Sequence, residues 1–341
     1  MRGVVFTGDR GVELRSFPDP EPGPGEVVVR IRASGMCGSD LHTYRAPAAA
    51  ESGALVVQGH EPCGEIHAVG PGVPVEMAKI GDRVMIHHYW GCGTCPDCRT
   101  GWPQMCSVIE PRVPTLNEHG GHAEFIKVPA LQTIPLPPSL SFKAGAAIGC
   151  GTGTAWGGIE RLGNVSGRTL VVFGQGPVGA SATMIAAALG ARVIAVDVVR
   201  RRLDAAEKFD ADTVLDATAG DVVEAVRELT GGRGAELAIE TSGVTPVAKQ
   251  ALDVLAPWGK ACFIGIGAYV SFNTKETLRR QLTILTSWTL STVQQIRCAE
   301  FVVSHGLPVD EVFSHTWSLD DAVAAYEWFD QQRDGKGVFV P

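Results

Sequence analysis

The chain has 341 residues, 45% hydrophobic and 19% charged, which is enough apolar material for two cores and excludes a disordered or collagen-like polymer. Its formal charge of −8, from 29 Lys and Arg against 37 Asp and Glu, argues against nucleic acid as a partner. No run reaches the ~18 apolar residues of a membrane span, and nine cysteines, an odd number, are too sparse for a disulfide scaffold and favour a reducing, cytoplasmic setting.

Residues 1 to about 145 hold short β-prone runs at 27–32, 64–69 and 83–87, broken by Gly and Pro; PDPEPGPGE at 18–26 cannot lie inside a regular element. From about residue 165 the rhythm becomes strand, glycine turn and helix. Strands are predicted at 168–173, 192–196, 213–216, 235–240 and 260–264, and helices at 177–189, 201–208, 221–229 and 246–255. Such alternation predicts an α/β domain with a doubly wound parallel sheet. Amphipathic segments at 292–304 and 320–332 then lead to GKGVFVP, a terminal strand that returns to an earlier sheet.

Three groups of residues carry chemistry. Cys92, Cys95, Cys98 and Cys106 follow one another at gaps of two, two and seven residues, with Gly and Pro between them. Four thiolates so spaced can close around one zinc ion with no water ligand, which makes a structural site. A disulfide pair and an iron–sulfur centre are the competing readings.

The second group is dispersed: Cys37 with Ser39, Asp40 and His42 in CGSDLH, His60 and Glu61 in GHE, and Cys150 in GCG. If Cys37, His60 and Cys150 meet, zinc keeps a fourth position open for an alcohol, whose pKa it lowers. Ser39 would then accept the alcohol proton and His42 relay it, with Asp40 and Glu61 as supporting carboxylates. Spacing alone does not bring the three motifs together. Cys63, Cys262 and Cys298 are expected in cores, and His67, His119, His122, His305 and His315 are expected to be structural.

The third is VVFGQGPVG at 171–179, a dinucleotide fingerprint between strand and helix. Gly174 would make the turn, Gly176 admit the pyrophosphate and Gly179 let helix and strand approach. Asp197 ends the next strand 18 residues beyond Gly179 and favours NAD over NADP by meeting the ribose hydroxyls; Arg200, Arg201 and Arg202 pull the other way. FAD is the weaker competitor, because no second nucleotide fingerprint occurs.

In this order the motifs, with GGHAEFIKVP at 120–129 and GCGTGTAW at 149–156, resemble the zinc-dependent medium-chain alcohol and polyol dehydrogenases over essentially the whole chain. The resemblance implies a chaperonin-10-like, mainly β catalytic domain made of 1–150 and 286–341, with a zinc lobe at 91–107. A Rossmann domain at 151–285 is inserted between its parts. It implies two zinc ions per chain: a catalytic one on Cys37, His60 and Cys150, and a structural one on the four lobe cysteines. Glu61 would approach the catalytic ion, Ser39 bind the alcohol and His42 end the proton relay. Thr154, Gly174, Gly176, Pro177, Val178, Gly179, Asp197 and Arg202 would surround NAD, with the backbone at Ile264 and Ile266 near the carboxamide. A homodimer or homotetramer is implied as well.

For the substrate, His88 stands where many members carry a bulky pocket residue, and it could bond a second hydroxyl of a polyol, cyclitol or sugar. The alternative is that His87 and His88 straddle a strand end and one faces solvent. Trp288 is a further pocket candidate, with core packing as its alternative. Sorbitol-type members carry glutamate where Cys150 stands, so the ligand set does not itself point to a polyol. The leading expectation is oxidation of a secondary alcohol to a ketone. Competing expectations are simple primary or aliphatic alcohols, a glutathione-linked aldehyde reaction, and a catalytically inactive zinc-stabilised NAD-binding regulator.

Overall fold

The computed structural model describes residues 1–48 and 55–341, and these divide into two compact units. The first unit comprises Met1–Cys150, Ser291–Gln332 and Lys336–Pro341, and the second Gly151–Leu290 and Arg333–Gly335.

The first unit is mainly β. Its largest sheet has seven strands, in the order Phe313–Trp317, Lys336–Phe339, Glu26–Gly35, Glu61–Val69, Arg83–Ile86 and Thr133–Pro135, with Phe125–Pro129 also paired to Glu26–Gly35. The terminal GKGVFV segment therefore does return: Val338 lies opposite Gly35 and Phe339 opposite Ser34 in antiparallel register. Val27, Val29 and Ile31 point into an apolar cluster with Ile66, Ile86 and Ile126, while Arg30 and Arg32 face out, the period-two pattern of a half-buried strand.

The second unit holds a six-stranded sheet, all parallel, in the order Thr213–Asp216, Arg192–Asp197, Thr169–Phe173, Ala235–Glu240, Leu255–Phe263 and Thr283–Thr286. The strand order reverses between Thr169–Phe173 and Ala235–Glu240, the switch point at which such sheets bind ligands. Val171, Phe173, Ile194, Ala238 and Phe263 belong to its fully covered core.

Two details differ from the sequence expectation. The helix expected over 246–255 ends at Asp253, and the strand expected at 260–264 already begins at Leu255. Ala235 pairs with Leu255 and Leu237 with Lys260, so a bulge at the Pro-Trp-Gly stretch, with Trp258 at φ 68°, extends the strand backwards. Helix Thr274–Arg280 and edge strand Thr283–Thr286 lie beyond the last strand predicted.

The strand that starts with Glu61 depends on glycine at 64, where a Cβ would lie 2.0 Å from the Arg30 carbonyl oxygen of the neighbouring strand. Gly64→Ala should lower stability by about 1–3 kcal/mol, the usual cost of overpacking. The urea midpoint checks this, and an unchanged midpoint would contradict the tight pairing.

Candidate active site and metal centres

Cys37, His60, Glu61 and Cys150 come from three separated segments, yet their ligand atoms all lie within 4.8 Å of one another. Cys37 sits between strand Glu26–Gly35 and helix Asp40–Tyr44, and its N–H donates to Asp40 Oδ2 at 2.8 Å. The other oxygen, Oδ1, is 3.1 Å from His60 Nδ1, which leaves Nε2 of that ring for a metal. Cys150 follows helix Phe142–Ile148, and its sulfur is 4.0 Å from that of Cys37. Gly35 is required here, since a Cβ would come within 2.1 Å of Glu61 Oε2.

The electrostatics call for a cation. The Cys37 thiol is held well below its usual range because Cys150 donates to it, with His60 and Lys336 nearby, while Cys150 is pushed well above for the same reason. Two sulfurs this close share one proton, and a divalent ion is what lets both ionise. Glu61 is pushed up to about 7 by burial, against the pull of Lys336. The Lys336 ammonium is itself buried, 2.7 Å from Oε1 and 2.6 Å from Oε2 of Glu61. Only the Oε1 contact has hydrogen-bond geometry, so Oε2 is held by charge alone, and the carboxylate lies within reach of the two sulfurs. Zinc suits this set of two sulfurs and an imidazole, with a carboxylate in reach. Lys336 escaped the sequence reasoning; its one signal is a charge inside an apolar terminal strand.

The lobe cysteines also converge, with ligand atoms within 4.8 Å of one another. Four thiolates at ~2.3 Å from one ion stand about 3.8 Å apart; the Cys92–Cys98 and Cys95–Cys106 sulfurs are 4.0 and 3.9 Å apart. These distances are far too long for a disulfide, and the spacing fits one ion better than a cluster. Amide N–H groups of Thr94 and Cys95 point at Cys92, and that of Cys98 at Cys95. Such donation, led by the Thr94 hydroxyl, pulls Cys92 down to about 6. Gly91 closes the knuckle, a Cβ there meeting the Cys98 sulfur at 2.5 Å.

His87 and His88 are both buried, so neither faces solvent, contrary to one of the two sequence readings. His88 lies 5.3 Å from His60, ring centre to ring centre, and its Nδ1 is 3.1 Å from the Gly149 carbonyl oxygen. Since a carbonyl only accepts, Nδ1 carries the proton and Nε2 the lone pair. Burial beside other histidines pushes His88 well below its usual range, so it is neutral. Ser39 and His42 are exposed at the two ends of one short helical turn. Trp288 belongs to the second unit and is 53% exposed, which rules out core packing. Cys63, Cys262 and Cys298 are fully buried, as expected of core residues.

In the second unit the glycine loop follows Phe173. Gly174 has φ 83°, and a Cβ on Gly179 would lie 1.7 Å from the Gly174 carbonyl oxygen. A Cβ on Gly176 would meet nothing within 4 Å, leaving an open cradle at the uncapped start of helix Pro177–Ala188. Asp197 accepts from the N–H groups of Gln175, Val198 and Val199 at 2.5–2.8 Å. All three following arginines are engaged: Arg200 by Asp204, Arg201 by the Asp334 carboxylate, and Arg202 by the Asp334 carbonyl. Thr154 is buried on helix Gly151–Leu162, and Ile264 and Ile266 follow the end of strand Leu255–Phe263.

Comparison with known proteins agrees with this architecture. Residues 23–138 match the alcohol dehydrogenase GroES-like domain and residues 177–303 the zinc-binding dehydrogenase family. The chain is 37% identical over 352 residues to the uncharacterized zinc-type alcohol dehydrogenase-like protein YphC of Escherichia coli, covering 99% of this chain and 98% of that one. It is 30% identical over 346 residues to L-threonine 3-dehydrogenase of Pyrococcus horikoshii, covering 97% and 95%. Identity to sorbitol dehydrogenase of Bacillus subtilis is 32% over 275 residues, covering 78% and 75%. Alcohol dehydrogenase TADH from Thermus sp. ATN1 superposes with a TM-score of 0.90 at 29% identity, over 100% of this chain and 99% of that one. The chain belongs to the zinc-type medium-chain alcohol dehydrogenase family. It is an NAD-dependent zinc oxidoreductase built as a parallel Rossmann sheet and a GroES-like unit.

His87 and His122 supply a pH signature. Burial pushes each down to about 4, against 6.5 when free. The unfolded chain takes up these protons first, so their contribution is complete above about 6.5 and is lost as the pH falls from there toward 4. The urea midpoint should drop between pH 7 and pH 5, and His87→Gln should flatten the drop; an identical slope in the variant would contradict the assignment.

Proposed function

We propose that this enzyme oxidises a secondary alcohol that carries a neighbouring hydroxyl, in a polyol, cyclitol or sugar-like compound, and prefers NAD. The carrying observation is His88, a polar side chain buried where the resemblance puts a bulky pocket residue, its ring 5.3 Å from that of His60 and its Nδ1–H donated to the Gly149 carbonyl. Sorbitol and the 3-hydroxyl of L-threonine, named in the relatives, share a secondary alcohol next to another polar group, which supports this reading.

In this proposal Cys37, His60 and Cys150 hold the catalytic zinc, and Cys92, Cys95, Cys98 and Cys106 hold a structural one. When bound, zinc supplies Lewis acidity toward an alcohol oxygen and NAD supplies the hydride acceptor. Ser39 accepts the hydroxyl proton of the substrate, and His42, one turn along, passes it to solvent. Asp40 keeps the His60 ring oriented through Nδ1, and Glu61 with Lys336 balances the buried charge. Gly174, Gly176, Pro177, Val178 and Gly179 cradle the pyrophosphate, Asp197 takes the ribose hydroxyls, and Thr154, Ile264 and Ile266 contact the nicotinamide end. Arg202 flanks the ribose. Arg200 and Arg201 are paired with Asp204 and Asp334, and Arg202 has the Asp197 carboxylate 3.9 Å away, an acid that would repel a 2′-phosphate, which supports NAD over NADP.

The half-exposed edge strand Thr283–Thr286 supports a homodimer or homotetramer, and two clusters of unbridged cysteines support a cytoplasmic setting.

A panel of polyols, inositols, sugars and simple alcohols, followed at 340 nm with each cofactor, tests the substrate class. His88→Phe should lower kcat/KM for the best polyol about 100-fold and leave that for 2-propanol within about threefold; an equal loss on both would overturn the His88 role. Asp197→Ala should raise the KM for NAD at least about tenfold and narrow the NAD over NADP preference. An unchanged preference would refute the ribose contact.

A further inference from the structure

A chain of buried hydrogen bonds runs outward from His60 through Asp40 to Tyr326, His122 and Ser34, three residues given no part in the chemistry above. Asp40 Oδ1 meets His60 Nδ1 at 3.1 Å, and Asp40 Oδ2 is 3.2 Å from the Tyr326 hydroxyl. That hydroxyl is 2.9 Å from His122 Nε2, and His122 Nδ1 is 2.8 Å from Ser34 Oγ. Asp40 is 4% exposed; Ser34, His122 and Tyr326 are completely enclosed.

The donors in this chain can be ordered from chemistry alone. Asp40 Oδ2 already accepts from the Cys37 N–H, and the single tyrosine proton points at the same oxygen, 3.2 Å from the hydroxyl. The tyrosine oxygen then needs a donor, which makes His122 the Nε2–H tautomer. Its Nδ1 must accept, and Ser34 is the donor. Every proton of the chain therefore points toward Asp40, and Asp40 in turn takes the Nδ1 proton of His60. The low polarity around the chain strengthens it: Tyr326 stacks on Tyr44 at 5.5 Å and meets Phe6 edge-on at 4.7 Å, and His122 packs on Phe339. Gly59, next to the metal-ligand histidine, is moulded to the same ring, because a Cβ there would lie 2.2 Å from His122 Nδ1.

We propose that Tyr326, His122 and Ser34 are positioning residues for the catalytic metal: they fix the orientation of the Asp40 carboxyl group, and through it hold His60 as an Nε2 ligand. The proposal rests on the reading that Cys37, His60 and Cys150 bind zinc. Removing an outer partner of a metal-ligating histidine typically costs ~10–100-fold in metal affinity or activity, and Tyr326 is the joint through which His122 and Ser34 act.

The test uses the full zinc-loaded chain and reads zinc release to a chromogenic chelator. The catalytic ion is the release phase that disappears in Cys37→Ser. Tyr326→Phe should speed that phase about tenfold and leave the lobe phase unchanged. His122→Phe should speed it by a smaller factor in the wild-type background and by nothing in the Tyr326→Phe background. Unchanged release in Tyr326→Phe, or multiplying effects in the double variant, would overturn the proposal. If Tyr326→Phe does not fold, Ser34→Ala carries the same comparison, with faster release expected and unchanged release overturning it. Nitrogen-15 NMR of the histidines in the wild-type chain gives an independent readout: His122 should be the neutral Nε2–H tautomer, and an Nδ1–H tautomer would also overturn the chain. A Cys37→Ser variant that releases the same number of zinc ions as wild type would instead refute the metal-site reading beneath it.

Discussion

The contact between Lys336 and Glu61 is the constraint on which the catalytic unit depends. A carboxylate and two sulfurs with acceptor atoms within 4.8 Å of one another cannot lose water without a cation, and the ammonium of Lys336 is the one the chain itself delivers. It comes from the last strand, 275 residues from its partner. Val338 opposite Gly35 and Phe339 opposite Ser34 place it, and glycine at 35 leaves room for both the Glu61 carboxylate and the Lys336 stem. Contacts of such sequence separation carry a large loop-closure cost and form late in folding. Lys336 follows the nucleotide unit in the chain, so the pocket has its cation only once that unit has been synthesised.

The two cysteine clusters solve the problem of holding thiolates in different ways. In the lobe, backbone amides and the Thr94 hydroxyl turn toward the sulfurs, so local structure already favours the ionised form. At the catalytic cluster the two sulfurs lean on each other and on His60 and Lys336. One arrangement is a closed clamp. The other is a set of opposed charges, with the Lys336 ammonium against both Glu61 oxygens and the imidazole of His60 beside the sulfurs, the three-ligand arrangement that a site admitting a reactant requires.

Much of this was legible in the sequence, because short motifs carry local geometry. The glycine loop could be recognised from Gly174, Gly176 and Gly179, each of which has its own steric reason in the structure. The lobe was legible from cysteine spacing, and the order of CGSDLH, GHE and GCG pointed to one centre that spacing could not assemble. Lys336 and Tyr326 were not legible: each acts through a partner 275 or 286 positions away, and nothing near either residue announces that partner. His122 reads as structural in the sequence because its two partners, Tyr326 and Ser34, stand 204 and 88 positions away. Edge strand Thr283–Thr286 escaped because four half-exposed residues carry no apolar run, and the 255 boundary because a bulge breaks the strand period.

The engagement of Asp334 with both Arg201 and Arg202 has a consequence for redesign. Attempts to move a Rossmann enzyme to the phosphorylated cofactor usually begin at the acidic residue after the second strand, here Asp197. In this chain that change would also remove the carboxylate that lies 3.9 Å from Arg202, while Arg201 would stay paired with Asp334. Asp334, more than a hundred positions downstream, holds Arg201 through its carboxylate and Arg202 through its backbone carbonyl, so the short return segment Arg333–Gly335 is a second place to change alongside Asp197.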